Sequence, residues 1–448
     1  MADSARRRGG IPAHIHGPRI VFMLCVLALL LIGFVMVYSA GSISNINNGG
    51  NAIKSLTDQV VYAAIGAVVG VIIYLFVKPG FWRGRGIWLA WGVAIVLIVA
   101  TSLFGIENYG AKRWIRLGGS FTVQGSEFVK IALVIVTVRL FADYREEAID
   151  FKSFMMGLFL GVIVPLGIMY KTQSDLGTTM ICIVALLAVL WYGEVPMRIF
   201  VLIVGLVVVF GLIAMFGVGY RADRFAFLDP WNDGQGGYGT GYNIIHSYYA
   251  ISEGGIFGVG LGNGHEKYQY LFASDSDFVF AVVCEELGMI GAVIVIALFL
   301  LLAYTGTLIA RSASDEFGTM LAGGLTVALV FQAFLNMGCA IGVFPTTGKP
   351  LPFISSGGSS VIASLMMVGL ILSVSRDAAA PSVYDRRRAD LRVVRASSGR
   401  AGESARGAAQ PSRRDARYPG ERPRAERDRA ARRSSEPRTS SRSSSRRR

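Results

Sequence analysis

Ten apolar segments, at 19–40, 58–77, 87–104, 127–142, 153–170, 176–194, 197–217, 278–305, 318–343 and 360–376, constrain this chain more than any other feature. A helix needs about 20 apolar residues to cross a bilayer, and only helices and closed barrels satisfy every backbone polar group in lipid. The expected fold class is therefore an all-α polytopic membrane protein with ten transmembrane helices. Composition agrees: 53% of the residues are hydrophobic and only 17% charged, against about 25% charged in a soluble domain. That excludes an ordinary cytosolic enzyme. The segment 127–142 fits least well, because Lys130 and Arg139 lie inside it. The segment 19–40 is too long, and too many spans follow it, for a cleaved signal peptide.

The net charge of +14 suggests nucleic acid until its location is considered. Residues 376–448 carry 22 Arg and 9 acidic residues, so thirteen of the positive charges belong to this stretch. No nucleic-acid partner is expected. Residues 377–448 form an Arg/Ser-rich tail too poor in apolar residues to fold alone, and they are expected to be disordered. The tail is either a solvated topology anchor or a contact for anionic inner-leaflet lipid. The remaining organisation is a cytoplasmic N-terminus at 1–18 and a ten-helix membrane domain at 19–376. A large outer loop at 218–277 joins spans seven and eight. With the N-terminus inside, the inner loops hold twelve basic residues against nine outside. With the tail added, the bias places both termini in the cytoplasm. Cys25, Cys182, Cys284 and Cys339 all lie in apolar runs and read as core residues.

Ionisable residues at or near membrane depth are the informative ones. Asp277 opens the eighth span, where it is either an N-cap beside Ser276 or a general base at a cavity mouth. Glu285 and Glu286 lie roughly 12–14 Å deeper, as a structural network or a proton pathway. Glu127 and Lys130 share one helix face, as an intrahelical ion pair or with Lys130 turned to an anionic substrate. In the second case Lys112 and Arg113 stand above it with Trp114 at interfacial depth, a set suited to a lipid-linked phosphate or pyrophosphate. Gln173-Ser174-Asp175-Leu176-Gly177 is a short outer turn, structural or substrate-lining. The Pro/Gly/Ser segment 344–360, with Lys349 and Ser359, reads as a non-helical element lining a cavity. Its Thr346-Thr347-Gly348-Lys349 is not a P-loop, since Val343 stands where the first Gly is required. The glycine run Gly254–Gly262 reads as a tight re-entrant turn or partly inserted hairpin, and no dinucleotide context surrounds it. No zinc spacing is present.

At these residues the chain resembles the SEDS family (shape, elongation, division and sporulation), which includes FtsW and RodA. The resemblance rests on Gly33-Phe34-Val35-Met36-Val37-Tyr38-Ser39-Ala40, Gly110-Ala111-Lys112-Arg113-Trp114-Ile115, the turn at 173–177 and Leu228-Asp229-Pro230-Trp231. It continues through the glycine run, Asp277 to Gly288, and 345–360. It implies a peptidoglycan glycosyltransferase that polymerises lipid II at the outer face of the plasma membrane, working with a class B penicillin-binding protein and other divisome proteins. It further implies Asp277 as the catalytic residue, with Lys112, Arg113, Trp114, Lys130, Gln173, Lys349 and Ser359 at the substrate. It singles out no definite cofactor; a divalent cation, Mg or Mn, would assist the leaving pyrophosphate. The opening stretch is closer to the FtsW division branch, which implies a septal location. The alternatives are a RodA-type elongation polymerase and a lipid II flippase. The chain departs from the family pattern at Gly125, Ser174, Ser356 and Leu271-Phe272-Ala273.

Overall fold

The computed structural model describes residues 13–47, 49–108, 111–118, 121–216 and 227–376. The basic tail, residues 1–12 of the N-terminus and Gly110 lie outside the described residues. The helices begin with α1 (Ala13–Asn47), α2 (Lys54–Phe76), a short α3 (Pro79–Arg83) and α4 (Gly86–Phe104). An antiparallel ribbon follows, of β1 (Ile106–Asn108), β2 (Ala111–Gly118) and β3 (Phe121–Gln124), with β2 central. Then come α5 (Gly125–Arg145), α6 (Phe151–Leu158), α7 (Val164–Gln173), α8 (Leu176–Tyr192), α9 (Met197–Phe216), α10 (Tyr242–Gly254), α11 (Val279–Arg311), α12 (Glu316–Ala340) and α13 (Gly358–Arg376).

Seven helical units among the described residues are long and apolar enough to cross a membrane: α1, α2, α4, the joined α6–α7, α11, α12 and α13. The chain is thus a mostly helical, multi-pass membrane protein. The α6–α7 unit passes through a π-type turn at Phe159–Ile163. Pro165, which lacks an N–H to donate to the preceding turn, follows directly. The units differ in where they sit. In α12 and α13 the apolar stretch is 78% and 83% buried inside the protein, against 22–39% for the other five. These two helices, with the largely buried α5, therefore form the centre, and the other five apolar units turn most of their apolar surface outward. Polar residues mark the same centre: Thr319, Thr326, Gln332 and Asn336 of α12 are buried.

Two regions that the sequence presents as outer loops are built. Residues 105–126 hold the ribbon, paired Trp114 to Gln124 and Ile106 to Trp114. The segment from 227 to 277 holds α10, which packs on α11. It also holds a turn gathered around Asp233, whose carboxylate accepts from the amides of Gln235, Gly237, Gly239 and Gly241. Those backbone bonds hold Asp233 down at about 2.

The glycine run has a specific task. Helix α11 is broken at Gly288, where φ is +68° and ψ is −168°, a conformation open essentially to Gly alone. The loop backbone fills the break. Val259 N donates to Glu285 O at 3.0 Å and Gly260 N to Glu286 O at 3.1 Å, while Met289 N donates to Gly255 O at 2.9 Å and Ile290 N to Ile256 O at 3.2 Å. Irregular backbone at membrane depth must be satisfied by protein in this way. The approach is so close that a Cβ on Gly288 would stand 2.3 Å from Gly258 N.

Candidate active site

Asp277 lies just ahead of α11, and its backbone is held from three sides. Ser356 N donates to Asp275 O at 2.7 Å. Ser355 Oγ donates to Ser276 O at 2.6 Å, and Asn336 Nδ2 to Asp277 O at 2.8 Å. Three consecutive carbonyls are thus fixed by α12 and by the segment between α12 and α13. Neither Asp277 nor Ser276 caps α11, whose N-terminus has no side-chain cap. The N-cap alternative raised by the sequence is therefore not what the carboxyl does. Half-buried, it has no hydrogen-bond donor among the described residues, and it looks onto Gly348. A Cβ on Gly348 would lie 3.6 Å from Asp277 Oδ2 and 3.9 Å from Arg113 Nη1. Burial raises Asp277 to about 6; Lys349 and Arg113 pull down and Asp275 pushes up.

Arg113 arrives from β2. Its Nε donates to Gln173 O at 2.9 Å and its Nη2 to Ser174 O at 3.1 Å. These bonds tie the guanidinium to the carbonyl end of α7, where a cation is favoured, and leave Nη1 toward Gly348. Side chains alternate along a strand, so Lys112 and Trp114 lie on the other face of β2 from Arg113. Lys112 Cβ stands beside Gly105 at the end of α4. Of these three residues, Arg113 alone reaches Gly348.

Behind Asp277 runs a buried chain of alternating charges. Lys349 Nζ is 2.7 Å from Asp175 Oδ2 and 3.5 Å from Glu127 Oε1. Lys130 Nζ is 2.6 Å from Glu127 Oε2 and also donates to Gln332 Oε1. The ion-pair alternative for Glu127 and Lys130 is the arrangement present. Lys130 is 1% exposed and Lys349 2%, so neither presents a free face to a substrate in this state. Asp175 also accepts from Ser126 Oγ at 2.9 Å, Thr178 Oγ1 at 2.8 Å and Thr178 N at 3.0 Å. Burial works against its charge, but Lys349 and the Thr178 bonds hold it at about 2. Ser359 Oγ accepts from Gln124 N at 3.0 Å, joining α13 to the ribbon. The Gln173 amide is fully buried, with no partner for Oε1 or Nε2 among the described residues.

A second polar cluster explains Glu285 and Glu286. Lys267 Nζ donates to Glu286 Oε1 at 2.6 Å and to Ser39 Oγ at 2.9 Å, and Ser39 Oγ donates to the same Oε1 at 2.6 Å. Glu285 Oε1 accepts from the amides of His265 and Glu266. This is the structural network of the two readings. Its partners come from α1 and the outer loop. Gln332, Asn336 and Lys267 are the residues that sequence reasoning missed. Gln332 and Asn336 are four apart in an apolar helix, so one polar face of α12 was a readable signal. No group of three His, Cys, Asp or Glu side chains able to hold a metal ion is present among the described residues.

Comparison with known proteins agrees with this architecture. The FtsW/RodA/SpoVE family, described as "Cell cycle protein", matches residues 19–380. "Probable peptidoglycan glycosyltransferase FtsW" of Mycobacterium tuberculosis is 36% identical over 379 residues, covering 83% of this chain and 71% of that protein. The protein of the same description from Geobacter metallireducens is 37% identical over 359 residues, covering 80% and 94%. Among solved structures, a chain from work on structural coordination of polymerization and crosslinking by a peptidoglycan synthase complex superposes with a TM-score of 0.62. It is 24% identical, covers 80% of this chain and 97% of that chain, and has the same fold. The match over nearly the whole membrane region, with relatives above one-third identity, places the chain in the FtsW/RodA/SpoVE family of cell cycle proteins.

Proposed function

We propose that Asp277 is the general base with which this peptidoglycan glycosyltransferase polymerises lipid II. The observation that carries this reading is the Asp277 carboxyl itself: half-buried, without a donor among the described residues, tuned close to neutrality and sharing the space beside Gly348 with Arg113 Nη1. A base near the working pH is half the requirement of proton transfer, and a fixed position is the other half. The acceptor sugar hydroxyl gives its proton to Asp277 as its oxygen attacks the donor anomeric carbon. The bond from that carbon to the diphosphate oxygen breaks, and undecaprenyl pyrophosphate leaves as an anion. Arg113, with Nη1 unspent on the α7 carbonyls, stabilises that charge. Lys130 joins it only by loosening from Glu127.

The full topology that fits this reading has ten spans, with α5, α8 and α9 added to the seven helical units. Both termini are cytoplasmic, and the ribbon, α10 and Asp277 face outward. The relatives named FtsW favour cell division, at the septum, with a class B penicillin-binding protein and other divisome proteins as partners. The tail contacts anionic inner-leaflet lipid. Lipid II transport is the weaker reading, because Glu285 and Glu286, the deep carboxylates it needs, are committed to Lys267, Ser39 and loop amides. Purified wild type and Asp277→Asn, given lipid II, decide the matter by the glycan polymer formed. Wild-type yield from the variant would remove Asp277 as the base.

A further inference from the structure

The buried charges behind Asp277 are unequal in what surrounds them. Lys130 belongs to α5 and pairs within its own helix. Lys349 stands on a non-helical segment and reaches across the protein to α8 and α5. Its stem crosses Gly177, where a Cβ would stand 2.4 Å from Lys349 Cγ and 3.2 Å from Cε. Its backbone carbonyl accepts from Asn336 Nδ2 at 2.8 Å, the same nitrogen that holds the Asp277 carbonyl. One residue toward the N-terminus is Gly348, the gap between Asp277 and Arg113. The ammonium is thus locked between Asp175 and Glu127 and buried where charge interactions are poorly screened, while the Lys349 backbone is tied to the Asp277 segment through Asn336.

We propose that Lys349 is a positioning residue for the reaction: clamped by Asp175 and Glu127, it supplies the fixed internal countercharge of Asp277 and pins the segment that keeps Gly348 open. The inference rests on the reading of Asp277 as the base, and it adds how that base is kept ready. The titratable and charged groups that act electrostatically with Asp277 are Asp275 on its own segment, Arg113 from β2, Cys339 from α12 and Lys349. Behind Lys349 stand Asp175, Glu127 and Lys130. Lys349 favours the ionised carboxyl and so opposes the upward push of burial and Asp275. Asp175 in turn offsets part of the Lys349 charge.

Two variants with opposite signs test this. In Lys349→Met, Asp175 keeps its bonds from Ser126 and Thr178, and Glu127 keeps Lys130. In Asp175→Asn, Lys349 keeps Glu127. The readout is Asp277 itself: carbodiimide labelling of the full-length chain in detergent, followed by mass spectrometry across pH, reports its protonation without needing activity. The acid limb of lipid II polymerisation is read alongside. Lys349→Met is expected to move the Asp277 midpoint and the acid limb up by about one pH unit. Asp175→Asn is expected to move both down. Midpoints unchanged in both variants, or moved in the same direction, overturn the proposal. If Lys349→Met does not fold, Asp175→Asn decides: a downward move supports the countercharge, and no move or an upward one overturns it. A chain in which labelling shifts as expected while Asp277→Asn still polymerises lipid II would instead sink the base assignment and leave the countercharge standing.

Discussion

Asn336 holds Asp277 in place: its Nδ2 donates to the Asp277 carbonyl oxygen at 2.8 Å and to the Lys349 carbonyl oxygen at 2.8 Å. One amide on the central helix therefore ties the Asp277 segment to the segment carrying Gly348. Asn336→Leu leaves both carbonyls unpaired, at a cost of about 1–3 kcal/mol each where they are shut off from water. A displacement on the order of 1 Å at the base costs about a hundredfold in rate. We expect the variant to fold with a lowered melting temperature and to lose polymerisation by roughly that factor, measured as glycan yield per enzyme.

The acid limb of activity follows from Asp277. Burial raises the carboxyl to about 6, and the base form is the carboxylate. Polymerisation should fall as pH drops through about 6 and should plateau above it, in a pH profile of kcat/KM. The stability effect has the opposite sense. The folded pKa is raised above the unfolded one, so the folded state holds this proton more tightly. Stability from this group grows as pH falls through 6 and is lost as pH rises. At pH 7 the ionised carboxyl is a stability cost, and Asp277→Asn should melt higher than wild type there while being inactive. Thermal unfolding in detergent checks this.

Gly348 lies beside both Asp277 and Arg113. Its φ of +64° makes any side chain cost about 1–2 kcal/mol in backbone strain, and a methyl group there would occupy space in ordinary contact with Asp277 Oδ2 and Arg113 Nη1. Gly348→Ala should keep the fold, by circular dichroism, and raise KM for lipid II in steady-state kinetics. Normal KM in a folded variant would remove this gap from the substrate path.

The break in α11 should tolerate no side chain. A Cβ on Gly258 would meet Glu286 O at 2.2 Å, and one on Gly288 would meet Ile256 O at 2.5 Å. Backbone cannot yield there without losing the bonds that fill the break. Gly258→Ala and Gly288→Ala should each sharply reduce the monodisperse fraction in size-exclusion chromatography of the detergent-solubilised chain.

Lys267 and Glu286 form a buried pair at 2.6 Å. Removing one partner leaves an uncompensated charge, at about 3–5 kcal/mol. Lys267→Met should therefore be much less stable than wild type. The double variant Lys267→Met with Glu286→Gln should recover most of the loss, and a double-mutant cycle of melting temperatures measures the coupling.

Much of the site was legible in the residues. Asp277, Arg113, Gln173 and Lys349 were named from charge placement, turn composition and resemblance, and the fold gathers them around Gly348 and the end of α7. Lys112 and Trp114 were named with Arg113 because adjacency in a loop carries no face. The ribbon gives them one, opposite to Arg113. Helix α10 was hidden in the loop 218–277 because its Tyr, His and Asn residues resemble loop composition. Lys267 carries no local signal of its pairing, since its partner lies nineteen residues away on a broken helix.

The sequence by itself determined that this chain lives in a membrane, because about twenty apolar residues in a row have no other stable place. It also determined where its exceptional charges lie, because a charge in an apolar run is visible without a fold. The tertiary structure decided which of those charges are free. Pairing depends on the approach of distant segments: Lys349 on Asp175 and Glu127, Lys130 on Glu127, Lys267 on Glu286. Those approaches pair three buried lysines, while no donor among the described residues reaches the Asp277 carboxyl. That residue difference, between a satisfied charge and an open one, is set by three-dimensional distance and desolvation, which no spacing along the chain encodes.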